Sequence, residues 1–179
     1  MYQERPLVNI PTIITISRML IIIPFILVAP KNPLLGAIIF SIAAITDYLD
    51  GYIARKKKQV TKLGILLDPI ADKLLVISAL ILFVDMELIA AWIAIVIIAR
   101  EFIVTGLRVV ALSKDMVIPA EMGGKLKVTA QISSIIVLLV DRSFINMDLY
   151  SIGILLLWIA MVLGIFSGIQ YFVLFWKRI

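Results

Sequence analysis

Asp47-Tyr48-Leu49-Asp50-Gly51-Tyr52-Ile53-Ala54-Arg55, then eight residues, then Gly64-Ile65-Leu66-Leu67-Asp68-Pro69-Ile70-Ala71-Asp72: four carboxylates stand in this one stretch. The chain around them is 63% apolar and 16% charged, with a mean hydropathy of +1.12 over 179 residues. That is too apolar for a surface facing water, so the sequence reads as a membrane protein. An aspartate at the centre of a membrane helix costs about 2.5–3.5 kcal/mol on the mildest scale, and four of them together require a use.

On both sides of the stretch, apolar runs long enough to cross a hydrocarbon core of about 30 Å alternate with charged or turn-rich breaks. Six such runs are read, at residues 10–29, 33–55, 64–84, 88–112, 125–141 and 149–176. Backbone groups in lipid must bond internally, so each run is expected to be a helix. The first begins after a polar stretch, Tyr2 to Arg5, with no small-residue cleavage site, and is read as a permanent helix. Connections as short as residues 30–32 and 85–87 leave no room for a second soluble domain, so residues 1–179 are read as a single membrane domain.

Lys and Arg set the orientation. Arg5, Arg55, Lys56, Lys57, Lys58, Lys62, Lys114, Lys177 and Arg178 fall on one side of the six-helix arrangement, and only Lys31 and Arg142 on the other. The richer side is the cytoplasmic one, which places both termini and the loop around Gln59 in the cytoplasm of a cell whose plasma membrane holds the chain. The net charge of +5 is accounted for by this topology and by anionic lipid headgroups, and no soluble module is present to bind nucleic acid. The chain has no Cys and no His. Disulfides, thiolate nucleophiles, thiolate metal sites and imidazole bases are therefore excluded.

Helical spacing organises the acids. Asp47, Asp50, Gly51 and Ala54 stand at i, i+3, i+4 and i+7, so acids and small residues share one face; Gly64, Asp68, Ala71 and Asp72 repeat the arrangement on the next helix. The two helices run antiparallel from a loop centred near Gln59, and Asp50 and Asp68 each lie nine residues from it. Asp47 and Asp72 then form a deeper pair about one helical turn away, and all four carboxylates can converge in the inner half of the bilayer. Converging anions repel, and an all-oxygen donor set selects a hard divalent ion, Mg²⁺ or Mn²⁺. Gly51, Ala54 and Gly64 clear space beside the acids for a ligand or for close helix packing. The expected fold is thus all-α: an integral membrane protein of six transmembrane helices with a polar, metal-binding cavity open to the cytoplasmic side. A proton or cation pathway is the competing use of intramembrane acids.

The pattern Asp-x2-Asp-Gly-x2-Ala-Arg-x8-Gly-x3-Asp-x3-Asp resembles the signature of the CDP-alcohol phosphatidyltransferases, and every specified position is filled. The resemblance implies that Asp47, Asp50, Asp68 and Asp72 bind two Mg²⁺ or Mn²⁺ ions and that Asp72 is the general base. It implies that Asp47, Gly51, Ala54, Arg55 and Gly64 lie along the CDP-lipid, that CDP-diacylglycerol is the donor, and that CMP leaves as an alcohol acceptor is joined to the lipid. A homodimer is likewise implied by the resemblance alone.

Further charges bear on the acceptor. Arg100-Glu101 opens a run ending Gly106-Leu107-Arg108, followed by Gly124-Lys125-Leu126-Lys127; Asn9-Ile10-Pro11-Thr12, Thr15 and Arg18 precede them. These stretches are similar to those of bacterial family members that take sn-glycerol 3-phosphate. Surplus cations near an aspartate site suit a phosphate-bearing acceptor, and Arg108, Lys125, Lys127, Arg100 and Arg18 are the candidates. Against this, Glu101 can pair with Arg100 or Arg108 to hold helices together, and Lys125 and Lys127 can snorkel to the headgroups. Inositol phosphate, serine and phosphatidylglycerol are the alternative acceptors, and a divalent-cation carrier is the non-enzymatic alternative.

Overall fold

The structure is a computed structural model that describes residues 10–57, 62–113, 122–142 and 148–177. Among these, the side chains of residues 10–16, 18, 47–57, 62–72, 112–113, 122–123 and 125 are not described. The described residues form six α-helices: α1 Ile10–Val28, α2 Pro33–Lys57, α3 Lys62–Asp85, α4 Ala91–Ser113, α5 Met122–Asp141 and α6 Tyr150–Trp176. Their ends lie within three residues of the runs read from the sequence. The largest differences have local causes. At α5, Gly123 and Gly124 look like a break, yet two glycines weaken a helix by only about 1 kcal/mol each and the first turn runs through them.

The start of α4 is delayed to Ala91 by the cap that ends α3. Glu87 takes φ 57°, and its amide donates to the Val84 carbonyl at 3.1 Å while the Leu88 amide donates to Phe83 at 2.8 Å. This is a Schellman closure with a glutamate in the left-handed position that glycine usually fills, and the next residue, Leu88, is buried as that motif favours.

The chain divides into two compact units, Met1–Ala79 and Leu80–Ile179, with the division inside α3. In the first, α1 and α2 form a hairpin. Asn32 caps α2 by accepting the Leu35 amide on its side-chain oxygen at 3.1 Å, with Pro33 at the first helical position, where its missing N–H costs nothing. Above the turn the helices touch at small residues. A methyl placed on Gly36 would stand 2.6 Å from Cβ and 2.8 Å from Cα of Ala29, so only glycine fits this approach. Further along, Phe25 and Phe40 are fully buried against each other with ring centroids 5.6 Å apart.

In the second unit α6 packs on both α5 and α4. Ile135, Leu138 and Leu139 of α5 and Leu157 of α6 are fully buried. Gly153 seats against Leu138, whose Cδ2 would lie 2.6 Å from an added methyl, and Ser134 donates to the Gly153 carbonyl at 2.7 Å. Asp141 accepts the amides of Leu149 and Tyr150 at 2.9 and 3.0 Å, satisfying donors at the start of α6.

The outer faces are apolar rather than polar: Ile95, Phe102, Phe166 and Trp176 are each more than 60% exposed. Exposed apolar surface on this scale marks contact with lipid or with another protein. Among the described residues, α6 is long and apolar enough to cross a membrane, with a mean hydropathy of 2.5 over its most apolar window, and only 28% of that window is buried. A helix serving as the core of a water-soluble domain would be mostly covered.

Candidate functional site

The signature acids sit on two unbroken helices. Asp47, Asp50, Gly51 and Ala54 lie in the second half of α2, and Gly64, Asp68 and Asp72 in the first half of α3, so the backbone preserves the i, i+3, i+4, i+7 and i, i+4, i+8 registers that align each set on one helix face. The side chains of these residues, like those of Arg18, Arg55 and Lys125, lie outside the described residues. Arg18 belongs to α1, Arg55 to the last turn of α2 and Lys125 to the first turn of α5.

The described polar site is in the second unit, where α4, α5 and α6 meet around Arg100. Its guanidinium donates from Nε to the Gly164 carbonyl at 2.7 Å, from one terminal nitrogen to the Ser167 hydroxyl, and from the other to Glu101 Oε1 at 3.1 Å. Three of the five N–H donors of an arginine are thereby committed to protein. Glu101 Oε1 also meets the Lys127 ammonium. Lys127 is only 3% exposed, and a charge taken out of water at such a depth is costly unless an opposite charge faces it, as Glu101 does here.

Local sequence explains why Arg100 can lie against α6. Gly164, Ser167 and Gly168 stand at i, i+3 and i+4 and form a shallow groove. A methyl on Gly164 would come within 3.6 Å of Arg100 Nε and 3.5 Å of Lys127 Cδ, and one on Gly168 within 3.6 Å of Arg100 Cγ. These are ordinary contact distances, so the glycines make room for the arginine stem and do not mark a forbidden approach. Beside the cluster is a small cavity lined by Ile97, Arg100, Lys127, Ala160, Met161 and Gly164. One turn beyond Lys127 on α5, Gln131 is 3% exposed, and its amide nitrogen has no hydrogen-bond partner among the described residues. Such a donor costs about 1–3 kcal/mol until an acceptor reaches it.

Arg108 has a different setting from Arg100. It lies eight residues further along α4, about 12 Å by helical rise, and is exposed, with its guanidinium carbon 5.9 Å from the centroid of the Tyr171 ring. The structure therefore joins Arg100 and Lys127 through Glu101, while Arg108 stands over the Tyr171 ring. Glu101's bond to Lys127, and the α6 partners Gly164 and Ser167, were not among the site residues expected from the sequence. The small-residue stripe of α6, in a chain with an arginine in the middle of the apolar run of α4, is the signal that points to them.

Likeness to known proteins bears on this arrangement. The chain is 40% identical to the CDP-diacylglycerol--glycerol-3-phosphate 3-phosphatidyltransferase of Bacillus subtilis (strain 168), over 96% of this chain and 97% of the relative. It is 42% identical to the protein of the same name from Haemophilus influenzae, covering 91% of each, and 38% identical to that of Rickettsia bellii, covering 92% and 93%. The sequence profile of the CDP-alcohol phosphatidyltransferases matches residues 8–166, which takes in the α2 and α3 acids, Arg100, Glu101 and Lys127. This chain belongs to the CDP-alcohol phosphatidyltransferase family.

Proposed function

We propose that this chain transfers the phosphatidyl group of CDP-diacylglycerol to sn-glycerol 3-phosphate, giving phosphatidylglycerol phosphate and CMP. The observation that carries the reading is likeness at about 40% identity, over nearly the whole length, to several proteins of that activity by name. The complete signature on α2 and α3 supports it.

Asp47, Asp50, Asp68 and Asp72 hold the divalent ions in this reading, and the donor set fits: it is all oxygen, in a chain without His or Cys, which suits Mg²⁺ or Mn²⁺. Two such ions, when bound, neutralise the donor diphosphate and the charge that develops on departing CMP. Gly51, Ala54 and Gly64 leave space along which the nucleotide end of the donor lies beside Asp47, and Arg55 pairs with its phosphates. The acceptor hydroxyl attacks the lipid-side phosphorus directly, forming one P–O bond as the P–O bond to CMP breaks, and Asp72 accepts the hydroxyl proton. Arg108, Lys125 and Lys127, with Arg18, hold the acceptor phosphate; Arg100 belongs to the same cationic set, with three donors already engaged.

The six helices all span the cell membrane as one domain of residues 1–179, with both termini and the metal cavity on the cytoplasmic side, and two copies form a homodimer. The exposed apolar faces and the Lys and Arg asymmetry support the membrane placement. The deciding experiment supplies labelled CDP-diacylglycerol with glycerol 3-phosphate, inositol phosphate, serine or phosphatidylglycerol in turn and reads CMP release. Release with glycerol 3-phosphate alone is expected. Release with another acceptor reassigns the substrate, and cation flux in proteoliposomes without any CMP release makes the chain a carrier.

A further inference from the structure

We propose that Glu101 is a positioning residue for the acceptor site, acting through Lys127. The proposal rests on the reading that takes glycerol 3-phosphate as acceptor and Lys127 as one of its phosphate contacts. It goes beyond that reading in giving a role to a carboxylate that touches no substrate.

The geometry is a chain of charges across three helices. Arg100 of α4 is fixed to α6 by the Gly164 carbonyl and the Ser167 hydroxyl. Its remaining terminal nitrogen holds Glu101 Oε1 at 3.1 Å, and the same oxygen holds the Lys127 ammonium of α5. Glu101 is thus anchored on one side and holds Lys127 on the other. The side chains of Arg100 and Glu101 are 16% and 14% exposed, so water screens the contacts little.

The sign of the effect follows from burial. Lys127 is buried, and the Glu101 carboxylate is the anion that holds its ammonium in place; without that carboxylate the side chain loses its anchor and is drawn toward the surface. That movement withdraws a cation from the acceptor phosphate. Arg100 cannot replace it, because turning its guanidinium to another ligand breaks two bonds to α6. Among them, Arg100, Glu101 and Lys127 carry two positive charges and one negative, so the group keeps one net positive charge.

The test measures CMP release while glycerol 3-phosphate and CDP-diacylglycerol are varied separately, for Glu101→Gln, Lys127→Met and the double variant, with thermal stability followed alongside. Glu101→Gln is expected to raise the acceptor KM about tenfold, the equivalent of losing one charge-assisted contact, with kcat and the donor KM within about twofold of the parent. The double variant should match Lys127→Met alone, because a residue that acts only through Lys127 has nothing left to act on. Glu101→Asp keeps the charge on a shorter arm and should recover part of the loss; it also keeps the test open should the glutamine variant fail to insert.

Additive losses in the double variant, or equal rises in both KM values, make Glu101 a general packing residue and overturn the proposal. So does a lowered acceptor KM in Glu101→Gln, which would mean that Glu101 competes with phosphate for Lys127. A raised acceptor KM in Lys127→Met with none in Glu101→Gln removes the positioning role and leaves the acceptor reading standing. If Lys127→Met itself leaves the acceptor KM unchanged, Lys127 is no acceptor contact and both statements fall.

Discussion

Asp and Asn are nearly the same size and differ by a full charge, so Asp→Asn substitutions ask whether the signature residues act as anions. Asp47→Asn, Asp50→Asn and Asp68→Asn are expected to weaken the Mg²⁺ or Mn²⁺ dependence and the turnover of CDP-diacylglycerol together, read as activity against metal concentration. Asp72→Asn should keep measurable CDP-lipid affinity while turnover falls on the order of a hundredfold or more, the usual scale for loss of a general base. Near-parental turnover by an Asp72→Asn protein that inserts normally would remove the base assignment. Arg108 and Lys125 concern the acceptor instead. Each alanine variant should raise the KM for glycerol 3-phosphate by roughly ten- to a hundredfold, from about 1.5–3 kcal/mol for a charge-assisted phosphate contact, with the donor KM little changed. Arg108 carries this prediction more directly than Arg100, since it is exposed over Tyr171 and not fixed to Gly164 and Ser167.

Between helices, contact distance decides what a substitution costs. Gly36 lies against backbone as well as side chain of Ala29, at 2.8 Å to Cα for an added methyl, and neither atom is the end of a flexible chain. Gly36→Ala must push α1 from α2 and is expected to destabilise by about 1–3 kcal/mol, the scale of overpacking. Gly106 on α4 is the matched control: among the described residues nothing lies within 4 Å of its added methyl, so Gly106→Ala should be neutral or stabilising by about 0.5–1 kcal/mol through helix propensity. Thermal unfolding of both variants in the same detergent checks the pair. A lower melting temperature for Gly106→Ala than for Gly36→Ala would contradict the α1–α2 packing described here.

At the scale of the whole molecule, the six crossings proposed above make lipid the solvent and let charge set the orientation. Cysteines introduced singly at Gln59 and Asn146, two positions outside the described residues, serve as reporters in a chain with no Cys of its own. The Lys and Arg asymmetry predicts that a membrane-impermeant thiol reagent labels Gln59→Cys from the cytoplasmic side and Asn146→Cys from the opposite side. Labelling of both from one side would be incompatible with six crossings. Long apolar faces such as that of α6 also predict extraction by detergent and not by high salt, because the contact with lipid is hydrophobic and not ionic.

The number of helices, their ends to within three residues and the register of the acids were legible in the sequence, because each is local. Helices in an apolar medium must satisfy their own backbone, so run length and turn residues suffice to place them. Periodicity likewise puts Asp47 with Asp50 and Asp68 with Asp72 before any packing is known. The sequence also offered Glu101 a partner on its own helix, Arg100 or Arg108; the structure has the Arg100 pair and adds Lys127, which spacing along α4 could not supply. Arg100 reaches residues 64 and 67 positions away on α6, and Glu101 meets Lys127 on α5. Those partnerships depend on how far α4, α5 and α6 are rotated and slid against one another. That rotation is set by Gly153 against Leu138, and by the groove of Gly164, Ser167 and Gly168 accepting Arg100. Spacing along one helix carries no information about the phase of its neighbour, and so only tertiary structure decided which charges in this membrane protein meet.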